Sequence, residues 1–286
     1  MAQKSPRQPD SSPAVPSKAG RNLPVAFGVA LLFAAVIIPA VLLWRWTFVA
    51  IIIAAVAASV WELRATLASA VNITISWEPI VLGGAATLVL TWFFSYPAQI
   101  VGISLTVLAC MIWRLPGGQQ GYLRDLSASV FVVVYVVFFA TFAVLMAAPH
   151  DGSYRILTFL ILVVSSDTGG YAAGVLFGKH PMAPSISPKK SWEGFAGSVV
   201  TTMAAGAICL WLMLETDWWR GLIIGAVIAL IASVGDLIES LIKRDIGVKD
   251  MGTLLPGHGG VMDRMDSLLP SAVAAWMLLT LLVPVI

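Results

Sequence analysis

The sequence predicts an all-α, polytopic integral membrane fold with about nine crossing helices and a cytoplasmic N-terminus, and three observations carry that prediction. Apolar residues fill 59% of the 286 positions and charged ones only 11%, against roughly a quarter charged in ordinary soluble domains. Mean hydropathy is +0.91. Apolar runs of about 15–22 residues recur along the chain, the length at which an α-helix crosses the hydrocarbon core.

The elements follow in order. In residues 1–22, Pro6, Pro9, Pro13 and Pro16 alternate with Ser, Gln and Lys, and the absence of apolar periodicity reads as a disordered tail. The next apolar run continues to about residue 43. It is longer than a signal-peptide core and lacks a small-residue cleavage site, so it reads as a retained first helix, 23–43. Further spans are expected at 46–61, 79–95, 97–113, 126–148, 155–176, 196–214, 221–242 and 267–286. The segment 46–61 is short, and 79–95 and 97–113 hinge at Tyr96–Pro97. Eight helices is therefore the alternative count.

The basic residues give the orientation. With the tail in the cytoplasm, fourteen of the seventeen Lys and Arg fall inside, and only Arg45, Arg155 and Arg220 fall outside. This is the positive-inside asymmetry. It puts the polar loops 177–195 and 243–266 on the cytoplasmic side and the C-terminus outside. No internal repeat is visible. The expected organisation is a tail (1–22), scaffold helices (23–148) and a C-terminal half (149–286) that carries the site. Cys110 and Cys209 lie within apolar runs. They read as small buried hydrophobes, with no disulfide framework or thiolate metal site.

Residues 240–266 place eight charged side chains, a histidine and five glycines beside membrane helices. A charge near the bilayer centre costs roughly 2.5–3.5 kcal/mol on insertion scales, so such a concentration points to chemistry. Asp236, Glu239 and Lys243 end a helix at spacings of three and four, which puts them on one face. Glu239–Lys243 also reads as an interfacial pair that closes a helix. Asp236 follows the run GLIIGAVIALIASVG and lies deeper. Asp263 and Asp266 repeat the i, i+3 spacing at the next helix start, where acids also suit the helix macrodipole. Carboxylates converging from two helices supply the hard oxygen ligands of Mg²⁺ or Mn²⁺, shared with substrate phosphates; a second cation is left open. Asp236, Asp263 and Asp266 are the metal candidates.

Between these acids runs Leu255-Pro256-Gly257-His258-Gly259-Gly260. Glycines let backbone approach an anion and aim N–H groups at it. Lys243, Arg244, Lys249 and Arg264 surround this loop. Acids, glycines and bases together form a nucleotide-phosphate site, although no P-loop pattern occurs anywhere. His258 reads as a hydrogen-bonding partner, with a ligand or base role as the alternative. A second polar region holds Asp167, inside a helix, and then Lys189 and Lys190 just before the next. The two lysines read as phosphate contacts or as interfacial anchors. No serine or cysteine is paired with a base as a nucleophile, so direct attack is expected.

The residues also resemble a known signature. From Ser240 to Asp266 the order is Ser-x-x-Lys-Arg, four residues, Lys-Asp, then Pro-Gly-His-Gly-Gly, two residues and Asp-Arg-x-Asp. This resembles the phosphatidate cytidylyltransferases (CDP-diacylglycerol synthases). The upstream segments S-D-T-G-G-Y, G-K-H and I-S-P-K-K-S-W-E-G are similar too. Gly170 stands where alanine or serine is expected, and Ser191 where threonine is usual; neither difference removes a charge.

The resemblance implies that CTP and phosphatidic acid give CDP-diacylglycerol and pyrophosphate, with a divalent cation. It also implies a multi-helix inner-membrane enzyme with a cytoplasmic site, a homodimer, and no nucleic-acid partner. Carried onto this chain, Asp236, Asp263, Lys243, Asp167 and Glu239 take the catalytic roles. Lys189, Lys190, Arg244, Lys249, Gly257, His258, Gly259, Gly260 and Arg264 contact substrate. A transporter of an anionic or cation-coupled substrate is the rival reading, since intramembrane acids also fit that class. The missing repeat and the crowding of polar groups at one face count against it. A CDP-alcohol phosphotransferase would need an Asp-Gly…Ala-Arg spacing that is not found.

Overall fold

The structure, a computed structural model, describes residues 35–252, 254 and 259–285. The expected tail and the first part of the first helix lie outside these residues. Residues 35–43 are helical and lead into α1 (Arg45–Val71). The remaining long helices are α2 (Trp77–Arg114), α3 (Tyr122–Ala147), α4 (Gly152–Phe177), α5 (Trp192–Met213), α6 (Trp218–Asp245) and α7 (Met262–Leu282). Among the described residues, seven helices are long and apolar enough to cross a membrane. The expectation of about nine differs chiefly at α2 and at the part-described segment before α1.

α2 is not one straight rod. With the turn that follows it, it covers 41 residues, about 60 Å if straight and twice the hydrocarbon thickness. The chain leaves helical geometry at Ser95, with φ 56° and ψ −146°. The two halves then fold together: a Cβ on Gly83 would lie 2.5 Å from Thr106 Oγ1, and one on Gly102 2.5 Å from Thr87 Oγ1. The expected pair of helices is therefore a hairpin broken one residue before Tyr96–Pro97. Pro97 has no N–H to return to the preceding turn, which favours a break there.

α3 is the most enclosed helix. Val133, Val136, Val137 and Val144 are fully buried, and a π-helical stretch, Val133–Phe138, interrupts its middle. α4, α5 and α6 pack along seams of small residues, which let backbones approach where lipid gives no hydrophobic drive to pair helices. Gly169 and Gly170 of α4 face Thr201 and Ser198 of α5, and Gly206 of α5 meets Gly221 of α6 backbone to backbone. α7 continues the series: Gly235 of α6 approaches the Asp266 carbonyl. That carbonyl is free of an intrahelical partner because the residue four positions on is Pro270.

Between α4 and α5 the chain forms an antiparallel hairpin that sequence reading did not foresee, β1 (Pro181–Ala183) and β2 (Ser187–Ser191). The Ser191 hydroxyl then caps α5 by accepting the Gly194 N–H at 3.1 Å.

The bundle has two chemically distinct ends. Arg45 donates to carbonyls of the α3–α4 turn. Buried Arg155 pairs with Asp151 at 2.8 Å and donates to the carbonyls of Leu279 and Val283. Arg220 pairs with Asp217 and donates to Leu282 O. The three arginines assigned to the outside loops thus share one end, beside exposed Trp44, Trp46 and Trp218, an interfacial aromatic pattern. A Gly225→Val substitution should break the α5–α6 seam, since its Cβ would lie 2.4 Å from Thr202 O. We expect about 1–3 kcal/mol of destabilisation, read as earlier thermal aggregation in detergent.

Candidate active site

At the other end, a cavity of about 480 Å³ opens between α4, β2, α5, α6 and the start of α7. One stripe of α6 forms a wall. Ser233, Asp236, Ser240 and Lys243 recur at three- and four-residue spacing and all reach the cavity. Asp167 and Ser166 of α4 face them, with Ser198 of α5 below. Asp263, Arg264 and Asp266 enter from α7.

The charges are cross-tied. Lys190 reaches from β2 to Asp236 at 2.7 Å and donates to Ser233 O at 3.1 Å. The hairpin is thereby fastened to α6. Lys243 lies between two acids, 2.7 Å from Glu239 and 3.0 Å from Asp263. Asp263 also accepts the N–H groups of Met251 (3.0 Å) and Gly260 (2.7 Å). Its carboxylate therefore organises the chain between α6 and α7 as well as facing the cavity. Glu239 is 1% exposed and sits behind the wall. Among the described residues its Oε1 meets no N–H donor, and the Asp266 carboxyl lies beside it.

This arrangement bears on a metal. No group of three or more His, Cys, Asp or Glu among the described residues forms a ready-made cage. Mg²⁺ does not require one, because it commonly takes one or two carboxylates and completes its shell with water and phosphate oxygens. The donor set fits on those terms. Asp236 and Asp266 both line the cavity, held together by the close α6–α7 approach at Gly235. The buried Glu239 Oε1 beside Asp266 has no described N–H donor of its own, while Oε2 is paired with Lys243.

Most of the expected site residues thus come together. Asp167, Lys189, Lys190, Asp236, Lys243, Asp263, Arg264 and Asp266 line one cavity. Arg244 and Lys249 are exposed and stand outside its lining. Gly257 and His258 lie outside the described residues. Gly259 has φ +77°, which a side chain would strain. Gly260 donates its N–H to Asp263 at 2.7 Å, and a Cβ there would lie 2.4 Å from Glu62 Oε2.

Two contributions escaped sequence reading. Asp250 joins the cavity lining. Glu62 and Thr66 reach the site from α1, in the half expected to be scaffold. Glu62, 3% exposed, accepts the Met262 N–H at 2.9 Å, and Thr66 Oγ1 donates to Met251 O at 2.6 Å. A signal existed, since Glu62 is a lone acid in an apolar helix and the rule that singled out Asp236 applies to it equally.

Comparison with known proteins agrees with the signature. A model described as the cytidylyltransferase family matches residues 25–282. The phosphatidate cytidylyltransferase of Mycobacterium bovis is 49% identical over 217 residues, covering 71% of this chain and 71% of that protein. That of Mycobacterium leprae is 43% identical over 281 residues, covering 93% and 90%. That of Helicobacter pylori is 37% identical over 196 residues, covering 67% and 70%.

Lys190→Ala removes the tie to Asp236 and one cation from the cavity. We expect the KM for a nucleoside triphosphate to rise about tenfold, the effect of losing one charge-assisted contact. An unchanged KM and rate would make Lys190 an interfacial anchor.

Proposed function

The chain belongs to the cytidylyltransferase family, and from that premise we propose that it transfers the cytidylyl group of CTP to phosphatidic acid, releasing pyrophosphate and leaving CDP-diacylglycerol in the membrane. The observation that carries the reading is the single cavity in which acids of α4, α6 and α7 meet Lys189, Lys190, Lys243 and Arg264 at one end of a membrane bundle. Such a site suits two phosphate-bearing substrates, one of them anchored by its acyl chains.

In the proposed reaction a phosphate oxygen of the lipid attacks the α-phosphorus of CTP. The new O–P bond forms as the bond to the β-phosphate breaks, and pyrophosphate leaves with that electron pair. The attacking oxygen is already ionised near neutral pH, so no side chain need remove a proton. This accounts for a site rich in charge in which the described residues form no nucleophile–base pair. The work of the protein is positioning and electrostatic. Lys190, from β2, and Lys243, from α6, both line the cavity, where they can hold phosphate oxygens of the two substrates and offset their repulsion. Arg264 and Lys189 add positive charge where it builds on departing pyrophosphate. Asp236 and Asp266 would hold a divalent cation, with Asp167 and Glu239 adding negative charge around it. When bound, that ion supplies charge neutralisation between the reacting phosphates. Asp263 keeps Lys243 and the backbone of Met251 and Gly260 in register.

The same reading places the cavity end in the cytoplasm, where CTP is supplied. The Lys and Arg asymmetry supports this, as does the gathering of Arg45, Arg155 and Arg220 at the opposite end. Counting α2 as two crossings and the segment ending at residue 43 as another gives nine, with the N-terminus inside.

Two measurements test the proposal. Purified protein in detergent should release pyrophosphate only with CTP, phosphatidic acid and Mg²⁺ together, with CDP-diacylglycerol as lipid product. Release without the lipid, or a different lipid product, would refute it. Asp236→Asn should lower turnover by at least about a hundredfold in a folded, inserted protein, and full activity would remove Asp236 from the site.

A further inference from the structure

We propose that Glu62 is a positioning residue for the reaction, gripping the segment between α6 and α7 from a helix remote in sequence. The kinetic part of this inference rests on the cytidylyl-transfer reading; the structural part does not.

Four observations converge on Glu62. It is 3% exposed although it lies in a membrane helix, where an unneeded carboxylate is costly. One oxygen accepts the Met262 N–H at 2.9 Å, and the other faces the Leu254 N–H at 3.4 Å. Met262 opens α7, so its N–H is among the donors that a helix start leaves unpaired, and a negative charge there also suits the macrodipole. Gly252 and Gly260 close around the same carboxylate: a Cβ at either would lie 2.1 Å or 2.4 Å from a Glu62 atom. One turn along α1, Thr66 donates to Met251 O, while the Met251 N–H is held by Asp263.

The chain between α6 and α7 is therefore held by two carboxylates. Asp263 holds it from the cavity side, at Met251 and Gly260. Glu62 holds it from behind, at Leu254 and Met262. Asp263 is the residue after Met262, and Asp266 lies one turn on. Fixing the first turn of α7 thus fixes where both acids and Arg264 enter the cavity. Glu62 is not itself a cavity-lining residue, and its described hydrogen bonds go to backbone N–H groups of the segment that carries the lining side chains. It acts through the backbone that carries them.

The test uses full-length protein in detergent. Glu62→Gln keeps the size of the side chain and one acceptor oxygen, but turns an amide N–H₂ toward a backbone donor. Glu62→Ala removes both acceptors. We expect amide exchange in peptides carrying Leu254 and Met262 to speed by about tenfold or more in Glu62→Ala, with less change in Glu62→Gln and none in α4 or α5. We expect kcat for pyrophosphate release to fall by more than about tenfold in Glu62→Gln, with the KM for CTP changed less than about threefold. Exchange that is unchanged, or that rises equally across the bundle, overturns the positioning role. So does wild-type kcat in Glu62→Gln. If wild-type protein releases no pyrophosphate, the functional reading fails, and the exchange measurement alone decides whether Glu62 holds the segment.

Discussion

The Asp263 carboxylate is the interaction on which the rest of the site depends. It accepts two backbone N–H groups and the Lys243 ammonium, and so joins α6, α7 and the chain between them. A charge near the membrane must be matched by donors or opposite charge, because burying it alone costs several kcal/mol. That requirement explains why Lys243 is shared with Glu239 and why Lys190 leaves its strand to meet Asp236. The cavity is bounded by these ties between charged groups.

Behind the charged wall lies the small-residue architecture of α4, α5 and α6. Two helices that approach at Gly206 and Gly221 have no side chain between their backbones. Their relative placement is then set by the main chain, which varies far less than a rotamer. Three rigid rods in such contact form a stable base for Asp167, Ser198 and Asp236. The groups nearer the cavity mouth, on β2 and the chain before α7, need side-chain ties to be held as firmly.

Much of this could be read in the sequence. Apolar run lengths located the helices because a bilayer imposes a length on any element that crosses it. The acids stood out because the same bilayer makes charge rare. The limits of that reading were equally physical. Residues 79–113 show two apolar runs, but whether they continue or fold back depends on Ser95 and on Gly83 and Gly102 meeting threonines, which is long-range packing. β1 and β2 are too short to leave a period in the sequence. Glu62 lies 200 residues from Met262, and its partner is a backbone N–H, which no residue type announces. Gly260 reads as a substrate-facing glycine for the same reason: sequence shows that something comes close, not what.

Finally, α7 is anchored at both ends by opposite charges, each at the pole of the helix that favours it. Glu62 meets its first N–H, and Arg155 meets the carbonyls of Leu279 and Val283 at its last turn. The helix has 21 residues, about 31 Å of axial rise, close to the hydrocarbon thickness. It therefore acts as a fixed strut between α1 on one face and α4 on the other. Lipid around the bundle can thin or thicken, but the separation of those two anchor points is set by the strut. The distance from the acids to the arginine-rich end is thus a property of the chain rather than of the bilayer that surrounds it.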